Sequence, residues 1–117
     1  IAGHESYERL ATYCAAKHAV RSLTVAAAKE YAKYNIRVNS YCPGVAATSM
    51  WERVDAAMAK EYGWESGEAM QKFSAGILCG RTQEPAGVGN IVSFLASSDS
   101  DYITGQSLII DGGMVFR

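Results

Sequence analysis

Ile36-Arg37-Val38-Asn39-Ser40-Tyr41-Cys42-Pro43-Gly44 is the stretch that decides the fold. Residues 36–41 alternate and are rich in β-branched and aromatic side chains, and Pro43-Gly44 stops the run. This predicts a strand over Ile36–Tyr41. On its N-terminal side, Ala16, Ala19, Val20, Leu23, Ala27 and Tyr31 recur at three- and four-residue intervals. That period predicts a helix over Ala11–Tyr34, with Asn35 suited to its C-terminal end. Its many alanines permit close approach of another helix, so one face is a candidate subunit contact. Residues 1–10 are polar and read as a loop.

On the C-terminal side, Met50, Trp51, Val54, Ala57 and Met58 mark one side of a helix over Thr48–Tyr62, broken by Gly63. A further helical piece is expected over Ser66–Ile77. Pro85 in the first turn opens another helix from Glu84 to Leu95 or Ala96. Ser97–Gly105 reads as a polar loop and Gln106–Ile110 as a short strand ended by an Asp111-Gly112-Gly113 turn. Helix, strand, helices, strand is the rhythm of an α/β fold with a parallel sheet covered by helices. Two strands are too few for such a sheet, since they leave unpaired edges and half of each helix uncovered. The chain therefore reads as part of one domain, and its start at Ile1 rather than methionine suggests a fragment or a processed product.

The 117 residues carry a formal net charge of −1 and are 49% hydrophobic. Charge this close to zero gives no case for nucleic acid or an anionic membrane. No apolar run approaches the roughly 20 residues that cross a bilayer. Cys14, Cys42 and Cys79 have no C-x-x-C spacing and read as reduced thiols of a cytosolic protein. His4 and His18 lack a ligand cluster, so no metal site is expected.

Chemistry concentrates in Tyr13-Cys14-Ala15-Ala16-Lys17. Residues four apart on a helix share a face one turn apart, which sets a phenol beside an ammonium. The positive charge favours the phenolate, and a tyrosine tuned this way can act as general acid or base. Among other candidates, Trp51 suits either a pocket lid or a helix core. Asn39 is expected to bond neighbouring backbone, His4 to be a solvated loop residue and Arg81 to find an ion-pair partner. Lys29, Glu30 and Lys33 read as a solvated face. Gly87-Val88-Gly89 opens a helix but follows no strand, so it is not read as a phosphate loop.

Five blocks in order, Tyr13-x-x-x-Lys17, Ile36-Arg37-Val38-Asn39, Pro43-Gly44-x-x-x-Thr48, Tyr102-Ile103-Thr104-Gly105-Gln106 and Asp111-Gly112-Gly113, resemble the C-terminal half of the short-chain dehydrogenases/reductases. Within that family, Tyr41-Cys42-Pro43-Gly44, Met50-Trp51 and the ending Gly112-Gly113-Met114-Val115-Phe116 are most similar to the acetoin (diacetyl) reductases, or 2,3-butanediol dehydrogenases. The resemblance implies a Rossmann-type doubly wound parallel sheet and NAD as cofactor, with NADP as the alternative. It implies a small hydroxyketone or vicinal diol as substrate, a cytoplasmic setting and a homotetramer. Tyr13 and Lys17 would be catalytic, and Lys17 would also bond the nicotinamide ribose. Tyr13, Lys17, Pro43, Gly44, Val45 and Thr48 would bind the cofactor, the Val45 backbone and the Thr48 hydroxyl holding its carboxamide. Ile1, Tyr7 and Trp51 would line the substrate pocket under a lid over residues 48–77. Polyol and 3-oxoacyl-thioester reductases share the general motifs. The glycine-rich fingerprint is absent and the family's serine would fall upstream of Ile1, so an inactive piece is a further reading.

Overall fold

The computed structural model describes all residues from Ile1 to Arg117. After a turn-rich N-terminal loop comes α1 (Ala11–Tyr31), then β1 (Ser40–Pro43), α2 (Met50–Tyr62), α3 (Glu68–Ser74), α4 (Pro85–Ala96) and β2 (Ser107–Ile110). The last residues of the predicted first helix tighten into a 3-10 turn at Ala32–Tyr34. Asn35 then stops the chain in the left-handed region, φ 58°, and its N–H donates to the Ala32 carbonyl. Gly63 ends α2 the same way, at φ 70° with its N–H on the Ala59 carbonyl.

β1 and β2 pair in parallel, with Ser40 opposite Ser107 and Pro43 opposite Ile110. The ladder therefore begins four residues later than the predicted Ile36. Side chains explain the shift. The Asn39 Nδ2 donates to the Ile103 carbonyl at 2.8 Å and its Oδ1 accepts from Gln106 N–H at 3.0 Å. The Val38 N–H goes to Thr104 Oγ1 and its carbonyl accepts from Gly105. Residues 37–39 thus run beside 103–106, held mostly by side-chain bonds, before the backbone ladder takes over. Pro43, lacking an N–H, is tolerated as the last residue of this strand.

The predicted third helical piece, Ser66–Ile77, is cut to Glu68–Ser74. Gly67 at φ 88° cannot continue into a helix, and the Asp55 carboxylate of α2 accepts from the Gly67 and Ala69 N–H groups instead. Trp51 packs on Phe73, ring centroids 5.6 Å apart, so α2 and α3 form one unit.

The sheet has two strands and two free edges. Only 12 of 117 residues are buried. The radius of gyration is 16.1 Å, against about 13 Å for a compact domain near this size. On α1 the buried positions are Cys14, Thr24 and Ala28. The predicted apolar stripe is mostly uncovered, with Leu23 68% exposed and Val20 49%. The helix instead packs through the line that faces the N-terminal loop and the sheet.

Candidate active site

Tyr13 and Lys17 sit one turn apart near the start of α1, and the Lys17 Nζ lies 5.4 Å from the Tyr13 ring centroid. Tyr13 is 46% exposed. Both side chains open on a cleft of about 590 Å³ between α1, the N-terminal loop, the end of β1 and the start of α2. The predicted site residues Ile1, Pro43, Gly44, Thr48 and Trp51 line the same cleft. Seven of the nine candidate residues, drawn from four separate segments, therefore converge.

Close backbone approaches set the positions of those walls. A Cβ on Gly3 would stand 2.9 Å from the Lys17 carbonyl oxygen, so only glycine lets the N-terminal loop lie this tightly on α1. Arg21 fastens the same contact by donating to the Gly3 carbonyl at 2.6 Å. The Ile1 nitrogen donates to the Pro43 carbonyl at 2.9 Å, tying that loop to the end of β1. A Cβ on Gly44 would meet Asp111 Cα at 2.8 Å, so the 43–48 loop rides directly on the turn after β2. Asp111 is itself buried and accepts from the Gly113 and Val115 N–H groups at 2.9 and 2.7 Å.

Trp51 serves both roles that the sequence left open. Its indole N–H donates to the Ala46 carbonyl at 2.9 Å, one face meets Phe73, and it still walls the cleft. Thr48 lines the cleft with its hydroxyl in no intramolecular hydrogen bond, and Lys17 forms no ion pair.

Two expected residues do not line the cleft. Val45 is buried and lines a neighbouring cavity of about 370 Å³ with Ile77 and Asp111. Its carbonyl accepts from Gln83, whereas its N–H has no intramolecular partner. Tyr7 is half-buried away from the cleft, its hydroxyl 3.5 Å from Glu5 Oε2. Burial first, and the Glu5 charge next, push its phenol up.

Further expectations need correction. Arg81 meets no carboxylate and donates only to the Thr82 carbonyl. His4 is half-buried with its Nε2 enclosed and unpartnered, because the Gly3 contact presses the loop onto α1. Burial and then the Arg21 charge lower its pKa. Arg21 and Arg37 are supporting residues that the sequence reading missed. The one available signal for Arg37 was a cation between two β-branched residues, Ile36 and Val38, of the predicted strand. No group of three metal-ligating side chains occurs, and no helix is long and apolar enough to cross a membrane.

A family model described as enoyl-(acyl carrier protein) reductase matches residues 1–115. A diacetyl reductase [(S)-acetoin forming] of Staphylococcus epidermidis is 61% identical over 100% of this chain and 46% of its own length. An L-2,3-butanediol dehydrogenase of Corynebacterium glutamicum is 44% identical over 100% of this chain and 45% of its own. The chain thus spans about half the length of the curated relatives it matches. Among solved structures, an actinorhodin polyketide ketoreductase with NADPH superimposes with TM-score 0.87 at 30% identity, over 96% of this chain and 43% of that one. A 4-hydroxyisoleucine dehydrogenase complexed with NADH gives 0.72 at 32%, over 97% and 42%. Together with the order of the site segments, these matches show that the chain belongs to the short-chain dehydrogenase/reductase family.

Proposed function

We propose that these residues form the C-terminal part of a single Rossmann-type domain, carrying the nicotinamide and substrate end of an oxidoreductase site. The reaction is interconversion of a small hydroxyketone and a vicinal diol, of the acetoin/2,3-butanediol type. The observation that carries this reading is the Lys17 ammonium 5.4 Å from the Tyr13 ring centroid, at the mouth of a cleft walled by the 43–48 loop. The names of the two relatives supply the substrate class.

The residues fit a nicotinamide riboside. Lys17 has no ion-pair partner, and the Thr48 hydroxyl and the Val45 N–H have no intramolecular acceptor. Two unspent donors, Lys17 and Thr48, line the cleft and a third, the Val45 N–H, lies at the adjoining cavity, which suits ribose hydroxyls and a carboxamide. NAD is the cofactor we assign, with NADP the alternative. When bound, it supplies the hydride.

The chain's own groups do the rest. Tyr13 gives its hydroxyl proton to the substrate carbonyl oxygen as the new C–H bond forms at the carbonyl carbon. The phenolate left behind lies beside the Lys17 charge. In the reverse direction that phenolate takes the alcohol proton. Lys17 and Thr48 orient the ring, and Trp51 with α2 and α3 forms a lid that keeps bulk water from the cleft, where electrostatic interactions then act at lower dielectric. Ile1 contributes to the pocket wall. The exposed Leu23 face of α1 and the free edge of β2 are the assigned contacts of a homotetramer, and the three free thiols suit a cytoplasmic setting.

The test is Tyr13→Phe in the full-length protein, assayed by oxidation of reduced nicotinamide with diacetyl or acetoin. The ring stays and the proton goes, so kcat should drop by the roughly 10²–10⁴-fold typical of lost acid–base catalysis. An unchanged kcat overturns the assignment.

A further inference from the structure

Arg9 stands in the loop that leads into α1, four residues before Tyr13, and is one of two non-glycine residues with positive φ, at 63°. Its guanidinium reaches the far end of α2, where Nη1 meets Glu61 Oε1 at 2.8 Å and Cζ lies 4.8 Å from the Tyr62 ring centroid. Glu8 Oε1 stands 3.9 Å from its Nε. The contact continues into the lid. Tyr62 stacks on Trp64 at 4.9 Å, Lys72 Nζ of α3 sits 5.0 Å from the Trp64 centroid, and Lys72 pairs with Glu68 at 3.2 Å.

We propose that Arg9 is a positioning residue, a latch that holds the far end of the lid to the loop leading into the helix that carries the proton-donating tyrosine. The inference rests on the reading of α2 and α3 as a lid. Three observations favour a latch over an incidental surface pair. Glu61 lies in the last turn of α2, where the helix dipole disfavours a carboxylate unless a cation neutralises it. Arg9 holds a backbone conformation that arginine rarely adopts, and its head group is engaged by an ion pair and a ring face at once. The two ends of the lid are also anchored differently. Trp51 fixes the near end through its bond to Ala46, and Arg9 bonds the opposite end of a helix about 20 Å long. Arg9 and Glu61 are 50% and 62% exposed at their side chains, so the latch is screened by salt and opens readily.

The test is Arg9→Gln in the full-length enzyme at low ionic strength. KM for the small ketone should rise about three- to tenfold, with kcat not reduced in proportion. Added salt should raise the wild-type KM and leave that of the variant unmoved. Arg9→Glu alone should be worse, and Arg9→Glu combined with Glu61→Arg should recover much of the loss; the rise in KM without a matching fall in kcat is what a purely structural arginine would not give. Amide hydrogen exchange over residues 56–72 reads the latch without turnover and should quicken in Arg9→Gln. Faster exchange with unaltered KM would overturn the positioning role. Unaltered exchange, or a charge reversal that recovers nothing, would overturn the latch itself. Failure of the hydroxyketone assignment would appear separately, as a wild-type enzyme inactive on acetoin whose lid exchange still responds to Arg9.

Discussion

Replacing Arg37 with methionine should cost the fold about 3 kcal/mol, and the structure supplies the arithmetic. The guanidinium donates to the Ser100 carbonyl at 2.9 Å, the Ser100 hydroxyl at 3.0 Å and the Leu95 carbonyl at 3.0 Å. Longer contacts reach Ser97 at 3.3 Å and Ile103 at 3.4 Å. Three well-formed bonds at a net worth of roughly 1 kcal/mol each give the total, and the two long ones add little. No carboxylate takes part, so the loss should barely change with salt. The carbonyl of Leu95 is one of the orphan acceptors at the end of α4, a helix with no basic residue in its own last turn. Arg37 therefore serves as a C-terminal cap reached from another part of the chain, and its charge complements the helix dipole. The assay is urea denaturation of the full-length protein at fixed protomer concentration, read by circular dichroism. Arg37→Lys, with one compact donor group in place of a fork, should fall between wild type and Arg37→Met. A loss below about 1 kcal/mol for Arg37→Met would refute the claim that these bonds hold residues 95–103 against the segment entering β1.

Two further outcomes are expected. Gly44→Ala forces a Cβ to within 2.8 Å of Asp111 Cα, where backbone must yield. About 1–3 kcal/mol of stability should be lost, with a raised KM for cofactor as the 43–48 loop lifts, and wild-type values for both would contradict the contact. His4 has a pKa below its ordinary 6.5, through burial and then Arg21. The unfolded chain therefore binds a proton that the folded one resists, and stability should decline as pH falls below 6.5. Denaturation midpoints between pH 7 and pH 5.5 should drop less in His4→Asn than in wild type, and parallel curves would remove His4 as the cause.

What the sequence made legible was local. Tyr13 and Lys17 are four apart, and helical geometry alone places them together. The stop signals Asn35, Gly63 and the Asp111-Gly112-Gly113 turn work through their own backbone, so they fell where expected. The start of β1 did not, because Asn39 and Val38 are claimed by Ile103, Thr104, Gly105 and Gln106, more than sixty positions away. Arg9 and Glu61, 52 positions apart, were equally invisible, since nothing in either neighbourhood names the other. Within the candidate site, the residues that face the cleft were readable from motifs. The glycines and arginines that set its dimensions were not, because a close approach such as Gly3 on the Lys17 carbonyl is a property of two segments at once.

Periodicity picked out Ala16, Ala19, Val20, Leu23, Ala27 and Tyr31 as the apolar stripe of α1, and the structure buries Cys14, Thr24 and Ala28 instead. Both lines are helical faces, and hydrophobic spacing cannot rank them when a small polar residue such as Thr24 satisfies its hydroxyl on the Val20 carbonyl at 2.9 Å. The buried line meets the N-terminal loop and β1, the partners this chain provides. The stripe keeps Leu23 and Val20 at 68% and 49% exposure, on a helix whose alanines leave its backbone open to close approach. A helix with an exposed apolar residue beside its buried line has a second surface to satisfy, and Leu23, outside the cleft that Val20 lines, is where the proposed subunit contact on α1 would fall.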